Sequence, residues 1–181
     1  LSEAYKSAER QNGIPLIPKD WLTAEAMAGL IALSCGLQGD IGQAINLGHV
    51  EQVRERLAFW LQVFSAERFY LELQRIGHPG ETTYIEKVLE LAEQAEVAVV
   101  ATNPVCFLQL DDFMAHEVRV AIHDGYIIDD PNRPKNYTEQ QYLLSQEQML
   151  ELFSDIPAAL ANSVEIAKRC NVSMELDKPR L

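Results

Sequence analysis

Short apolar runs alternate along the chain with segments in which apolar residues recur every three or four positions. The runs cover residues 29–34, 68–74 and 97–103, and each has the length and composition of a β-strand. Segments 49–64 and 81–95 lie between or beside these runs, and their apolar spacing predicts amphipathic helices. Alternating strands and helices are typical of a parallel sheet with crossover helices. The pattern therefore predicts an α/β fold, either a barrel or an open sheet.

The carboxyl-terminal half of the chain is predicted to be mostly helical, with one long loop. Helices are expected over residues 111–124, 145–153 and 157–170. Asp111 and Asp112 open the first of these helices and are interpreted as capping residues. The loop reads "DDPNRPKNYT", and its two prolines and two asparagines exclude regular structure.

Composition narrows the class of protein. A chain of 181 residues suits one domain with a sizeable core. Its formal net charge of −12 repels the phosphate backbone of nucleic acids, so non-specific binding of nucleic acid by this chain alone is not expected. No apolar run approaches the roughly 20 residues of a membrane span, and no signal sequence is present, so a cytoplasmic protein is expected.

Cysteine usage and the first residues add two further expectations. The three cysteines are far apart and include no C-x-x-C pair, which indicates neither a disulfide framework nor a cysteine-rich zinc site. The sequence begins without methionine, inside a stretch with helical character. We therefore expect the chain to be a piece of a longer one.

In parallel α/β folds, the residues that bind ligands or catalyse reactions lie at the carboxyl ends of the strands. After the first predicted strand, "SCGLQGDIG" could form a phosphate cradle, but it matches no established phosphate-binding spacing, and a tight turn is favoured. In the second strand, Glu72 and Gln74 share one face. Their side chains either line a functional site or form hydrogen bonds with each other. His78 follows in a turn and is interpreted as a solvated loop residue.

The third strand end carries Pro104 and Cys106, which an extended segment would project to the same side, as two metal ligands require. Proline, however, offers no ligand atom. As a nucleophile, Cys106 would need a basic neighbour such as His116 or His123. These histidines are seven residues apart, a spacing that favours packing of one helix face against a sheet. We interpret Cys106 as a small buried hydrophobe.

Several stretches, in order along nearly the whole chain, resemble the PHP (polymerase and histidinol phosphatase) domain of bacterial DNA polymerase III alpha subunits, the replicative C-family polymerases. They are "RFYLELQRIG", "VVATNPVCFL", "AHEVRVAIHDG", "DDPNRPKNYT" with "QQYLLS", and "ELFSDIPAALANSVEIAKRCNV". The resemblance implies that residues 1–172 form the later strands and helices of a distorted (β/α) PHP-type barrel. It also implies that residues 173–181 begin the connection to a palm domain that this chain does not contain.

The same resemblance bears on metal binding. Family members that bind metal have N-D-x-H at the third strand end and a further histidine after the "ELQ" strand. The matching positions here are Ile76, Pro104 and Cys106, so all three ligand positions that can be aligned are vacated. The resemblance therefore implies a vestigial metal site, with no catalytic residue and no cofactor in this segment. Magnesium is expected only in the palm domain of the parent.

By resemblance, the parent is a DNA-directed DNA polymerase, a nucleotidyltransferase of DNA replication. This segment would be a non-catalytic domain that supports the polymerase core and docks the proofreading 3′–5′ exonuclease subunit of the polymerase III holoenzyme. DNA would be contacted through the parent and not through this acidic segment.

Three further possibilities stay open. The first is a working metal-dependent PHP phosphoesterase or 3′–5′ exonuclease, using Glu72 or Cys106 with residues outside this chain. The second is a free-standing cysteine enzyme with a reactive thiol. The third concerns assembly: a barrel without its first strands has an unpaired sheet edge, so the fragment is expected to associate with itself.

Overall fold

The fold is built on a three-stranded parallel sheet in a computed structural model that describes residues 5–6, 9–11 and 13–172. A short antiparallel pair, β1 (Arg10–Gln11) and β2 (Ile14–Pro15), comes first in the chain. The parallel sheet then has the order β3 (Ala32–Leu33), β4 (Phe69–Leu73) and β5 (Val99–Ala101).

Helices separate and follow the parallel strands much as the apolar periodicity predicts. Their bounds are α1 (Asp40–Asn46), α2 (Val50–Phe64), α3 (Glu81–Ala95), α4 (Phe113–Asp124), α5 (Gln146–Leu152) and α6 (Pro157–Arg169). Short 3₁₀ turns lie at Lys19–Trp21, Gly36–Gln38 and Leu110–Asp112. The last turn takes the place of the first residues of the helix predicted from residue 111. The loop over residues 129–138 has no helix or strand, as expected.

The register of the sheet confirms parallel pairing. Ala32 lies opposite Phe69, and Leu71 lies opposite Val99. Helices α1 and α2 connect β3 to β4, and α3 connects β4 to β5. The predicted α/β fold with crossover helices is therefore confirmed, while closure into a barrel stays a prediction.

The core is centred on β4, whose five residues are all buried. Leu71 and Leu73 are fully buried, as are Val88 on α3 and Ile41 on α1. A central parallel strand covered on both faces is normally apolar throughout. Glu72 interrupts this apolar strand, and its carboxylate must therefore be satisfied by neighbouring groups.

The two edges of the parallel sheet differ. The outer edge of β5 is covered by α6, where the Asn162 side-chain amide donates to the Val99 carbonyl at 2.8 Å. The outer edge of β3 has no neighbouring strand among the described residues, and Leu33 is 39% exposed there. The unpaired edge expected from the sequence is present in the described part of the chain, whereas self-association stays a prediction.

The first strand is shorter than the apolar run over residues 29–34 predicts. Gly29 has a φ of +79°, which breaks the extended path, and Leu30 is exposed before pairing begins at Ala32. The helical character expected of the amino terminus falls mostly outside the described residues, and so does the expected connection over residues 173–181. The β1–β2 hairpin was not predicted; Gly13, with a φ of +82°, forms its turn.

Within the described residues, no helix combines the length and the apolar character that crossing a membrane would require.

Candidate functional site at the strand ends

A cavity of about 550 Å³ lies where the parallel strands end. Its wall includes residues that follow all three strands: Cys35 and Gln38, then Gln74 and Ile76, then Pro104, with Gln141 contributed by a later loop. The cavity occupies the position at which ligands bind in open parallel sheets. It brings together Ile76 and Pro104, two of the three positions that the sequence singles out.

Glu72 lies next to this cavity in the middle of the buried strand β4. Its Oε1 atom accepts hydrogen bonds from the Gln74 side-chain amide at 2.9 Å and from the Thr102 hydroxyl at 2.5 Å. Its backbone N–H donates to the Ser34 hydroxyl at 2.9 Å. Of the two interpretations of Glu72 and Gln74, mutual hydrogen bonding is therefore confirmed.

Burial favours the neutral forms of the Tyr84 hydroxyl and the Cys35 thiol, which lie near Glu72. Tyr84 donates its hydroxyl to the Glu72 carbonyl at 2.8 Å. Burial raises the pKa of Tyr84, and the nearby Glu72 carboxylate adds to the rise. Burial, followed by the same carboxylate, also raises the pKa of the Cys35 thiol. Cys35 therefore offers a thiol to the cavity near neutral pH, which is a poorer nucleophile and metal ligand than a thiolate.

Gln141 closes the third strand end. Its side-chain NH₂ group lies 3.4 Å from the Pro104 carbonyl oxygen and 3.4 Å from the Cys106 sulfur, and its Oε1 atom accepts from the Thr138 backbone N–H at 2.9 Å. An amide NH₂ group presents hydrogens and no available lone pair. Sequence reasoning missed Gln141, since nothing in "QQYLLS" distinguishes one glutamine of the pair from the other.

Two of the positions that the resemblance names for metal ligands offer no ligand atom in their side chains. Ile76 presents only hydrocarbon, and Pro104 has no side-chain donor atom. Across residues 5–6, 9–11 and 13–172, no three His, Cys, Asp or Glu side chains converge in a way that could hold an ion.

Cys106 lines a different cavity, of about 410 Å³, together with Phe107, His116 and Arg119. Pro104 and Cys106 thus line different cavities, although the Cys106 sulfur lies 3.7 Å from the Pro104 carbonyl oxygen. The chain bends at Cys106, because Phe107 pairs with Tyr142 of the later loop in an isolated parallel bridge. The extended geometry that alternation assumes ends before this bend.

The environment of Cys106 does not activate its thiol. Burial raises the pKa of Cys106, and Arg119 opposes that rise. Burial lowers the pKa of His116, and Arg119, whose Nη2 atom lies 3.0 Å from the imidazole Nδ1, lowers it further. A cysteine nucleophile needs the opposite shifts. The prediction of a buried hydrophobe holds only in part, since Cys106 is half-buried.

The two histidines of α4 differ in their surroundings. His116 is buried and packs between Phe107, at 5.4 Å between ring centroids, and Tyr137, at 4.6 Å. The His123 side chain is 87% exposed, so the predicted packing of both histidines on one face is wrong for His123.

Asp112 accepts a hydrogen bond from the Gln109 backbone N–H at 3.0 Å, which confirms its capping role.

A buried ion pair fixes the long loop that follows α4. Arg133 donates to Glu117 at 2.6 Å, and the two side chains are 5% and 6% exposed. The Thr138 hydroxyl donates to the Ile76 carbonyl, and the Asn103 side-chain amide donates to the Tyr142 carbonyl. Sequence reasoning missed this ion pair, because an arginine in an irregular loop gives no sign of being buried.

The fold is α/β with a parallel sheet, and a sequence model of the PHP domain matches residues 1–76. The chain is also 50% identical over 176 residues to DNA polymerase III subunit alpha of Haemophilus influenzae and 51% identical to that of Escherichia coli K12. It is 44% identical over 178 residues to the same subunit of Pseudomonas aeruginosa. These matches cover 97–98% of this chain and 15% of each relative.

The predicted resemblance to the PHP region of this subunit is confirmed. The chain is homologous to a segment of the DNA polymerase III alpha subunit, and it spans about 15% of the length of the curated relatives it matches.

Proposed function

We propose that this chain is a segment of a DNA polymerase III alpha subunit, the enzyme that replicates DNA by template-directed nucleotidyl transfer. The observation that carries this proposal is identity of about half over 97% of the chain to subunits of that name. In this proposal residues 1–172 are the later part of a PHP domain, and residues 173–181 begin the connection to the palm domain. Carboxylates of that palm domain would hold the magnesium ions of the polymerase reaction.

Within the parent, the segment serves as a non-catalytic structural domain with a vestigial metal site. The side chains at the strand ends support this role. Ile76 and Pro104 cannot coordinate a metal, and the lone thiol of Cys106 lies in another cavity with a raised pKa. The carboxylate of Glu72 is engaged by Gln74 and Thr102.

The role that remains for such a domain is docking, and the partner in this proposal is the proofreading 3′–5′ exonuclease subunit. The test mixes the chain with that subunit from the same organism and follows complex formation by sedimentation velocity. A 1:1 complex is expected at micromolar concentrations. An unrelated protein of similar size and acidity is the control, and absence of a complex at concentrations well above the micromolar range would contradict the docking role.

A working metal-dependent phosphoesterase or exonuclease is the second candidate, and the 550 Å³ cavity at the strand ends is the observation that favours it. Hydrolysis of single-stranded primer ends in the presence of zinc or manganese would support it. The changes Cys106→Ala and Glu72→Gln should then abolish metal uptake or hydrolysis. These assays use the full-length subunit; if it shows no hydrolysis, or if both variants hydrolyse as well as it does, this candidate is excluded.

A further inference from the structure

Residues 129–143, the long loop together with the bridge that follows it, form a lid over the strand-end cavity. Lys135, Asn136 and Gln141 of this lid contribute to the cavity wall. The rest of the wall comes from the strand ends and from α3. Movement of the lid away from the sheet would therefore remove one side of the cavity.

Buried polar atoms without a hydrogen-bond partner are concentrated where the lid meets the rest of the chain. Within the described residues there are five such side-chain atoms: Asn103 Oδ1, His116 Nε2, Glu117 Oε1, and Nε and Nη1 of Arg133. Each of them belongs to a side chain that joins the lid to another element. The buried carboxylate of Glu72 in β4 is not among them.

The ion pair between Arg133 of the lid and Glu117 of α4 shows the cost most clearly. One hydrogen bond of 2.6 Å joins Nη2 of Arg133 to Oε2 of Glu117. The other carboxylate oxygen and the other two guanidinium nitrogens are buried without a partner in the described part of the chain. A buried ion pair offsets the cost of its own desolvation only when its remaining donors and acceptors are also satisfied. The closed lid therefore retains an uncompensated cost at this contact.

His116 and Asn103 repeat this pattern at two other contacts of the lid. Nδ1 of His116 lies 3.0 Å from Nη2 of Arg119, which can only donate, so in the neutral ring the proton lies on Nε2. This N–H finds no acceptor among the described residues, while the ring packs edge-on against Tyr137 of the lid at 4.6 Å. Asn103 donates to the Tyr142 carbonyl at 2.9 Å, and its own oxygen accepts nothing from the described residues. Closure of the lid thus leaves one buried polar atom unsatisfied at each contact.

We propose that the lid opens as a unit while the sheet and its helices stay folded, and that this movement opens the strand-end cavity. Opening exposes the five unpartnered atoms to water, which satisfies them and offsets part of the contacts that are lost. Buried unsatisfied polar groups are a reservoir of strain, and segments of low local stability open before the rest of a domain unfolds. The closed lid is the major state, because the ion pair and the aromatic contacts still hold it. This proposal does not depend on the proposed function.

Hydrogen–deuterium exchange of the full-length protein, resolved to single amides by mass spectrometry, tests the proposal. Two amides report on the lid: the Cys106 N–H donates to the Gln141 carbonyl at 2.8 Å, and the Leu143 N–H donates to the Phe107 carbonyl at 3.1 Å. The Leu71 N–H, which is hydrogen-bonded in the centre of the sheet, reports on the core. The two lid amides should share one protection factor, at least about tenfold below that of Leu71, and depend less steeply on urea.

Two variants and a matched control separate opening of the lid from unfolding of the whole domain. Arg133→Met leaves Glu117 buried without a partner and should speed exchange of the lid amides more than about tenfold. His116→Phe keeps an aromatic ring in place but removes the unpartnered nitrogen, and should slow exchange of the lid amides about fivefold or more. Val88→Ala, in the core on α3, should speed exchange at Leu71 and leave the lid amides unaltered.

Two results would overturn the proposal. Lid amides that exchange as slowly as Leu71, or that respond to Val88→Ala as strongly as Leu71 does, would show that the lid opens only when the domain unfolds. Exchange that is unchanged or faster in His116→Phe would show that the unpartnered atoms do not govern closure. This second variant decides the case if Arg133→Met does not fold.

Discussion

The strand-end cavity and the anchor of the long loop are neighbouring regions that use polar side chains in different ways. At the cavity, the positions where metal-binding family members carry ligands hold Ile76 and Pro104, and the wall includes the ionisable side chains of His78, Glu81 and Lys135. At the anchor, Arg133 and Glu117 form a fully buried ion pair. These three ionisable residues of the cavity wall are half-buried or exposed, whereas the buried ion pair lies outside the cavity, between α4 and the loop.

This difference shows that burial of charge does not by itself indicate catalysis. Perturbed or buried ionisable groups cluster at functional sites, but structural ion pairs produce the same signature. Here the ion pair holds the loop, and Thr138 and Gln141 of that loop contact the strand ends. The ion pair therefore shapes the cavity indirectly, by fixing the backbone that closes it.

The largest effect is expected from breaking the buried ion pair. Arg133→Met leaves the Glu117 carboxylate buried without a partner, which should lower the free energy of unfolding by about 3–5 kcal/mol. Replacing both residues, as Arg133→Met with Glu117→Met, should cost much less, because no uncompensated charge remains. Urea unfolding of the single and double variants measures both values.

The matched control for that experiment is the exposed pair Glu51–Arg54, one helical turn apart on α2. Arg54→Met should change the free energy of unfolding by less than about 0.5 kcal/mol. If Arg133→Met were equally mild, the loop would not be anchored by the ion pair, and the contrast between the two regions would fail.

A smaller effect is expected at Glu72. Glu72→Leu removes the acceptor of the Gln74 amide and the Thr102 hydroxyl, and should destabilise the chain by about 1–3 kcal/mol. Glu72→Gln keeps an oxygen in the same place and should cost less than about 1 kcal/mol. Thermal unfolding of the two variants distinguishes a hydrogen-bonding role from one that requires the negative charge.

The next prediction concerns His116, whose protonation should make the free energy of unfolding depend on pH. Burial lowers the pKa of His116 in the folded chain, so the unfolded chain binds a proton more readily. The free energy of unfolding should therefore fall as the pH drops below about 6.5, the ordinary pKa of histidine, and the fall should end below the folded pKa. Urea unfolding at several pH values measures this slope.

His116→Phe should flatten the slope of stability against pH in that range. A slope that persists unchanged in His116→Phe would show that His116 is not the group that titrates.

The smallest effect is expected at the surface ion pair between Arg75 and Asp155, whose Nη2 and Oδ2 atoms lie 2.7 Å apart. The Arg75 guanidinium lowers the pKa of Asp155, so this pair stabilises the chain above the ordinary carboxyl pKa and loses its effect as the pH falls through the lowered value. Because Asp155 is more than half exposed, Asp155→Asn should cost only about 0.2–1 kcal/mol near neutral pH. Thermal unfolding near pH 7 and in acid measures the difference.

Apolar periodicity was sufficient for the main elements of the fold. It predicted α2 and α3 to within one residue, because both helices bury a regular stripe against the sheet. It overestimated the length of β3, because the apolar residues before Ala32 are not paired in the sheet. The β1–β2 hairpin was missed because two-residue strands carry no periodic signal.

The candidate site was predictable only in part. Alternation placed Glu72 and Gln74 together, and their hydrogen bond follows from that geometry. The separation of Cys106 from Pro104 depends on the bridge between Phe107 and Tyr142, a contact across 35 residues that local patterns do not encode. The positions of Gln141 and Arg133 depend on the same long-range packing.

The most direct test of the vestigial metal site is a calorimetric titration of the metal-free chain with zinc and with manganese. We predict no stoichiometric binding by the unchanged chain. A variant with Ile76→His and Pro104→Asp, which places two of the family's ligand types in the shared cavity, is expected to bind more zinc than the unchanged chain. Tight binding of one or more equivalents by the unchanged chain, lost on Cys106→Ala, would contradict the proposal that its metal site is vestigial.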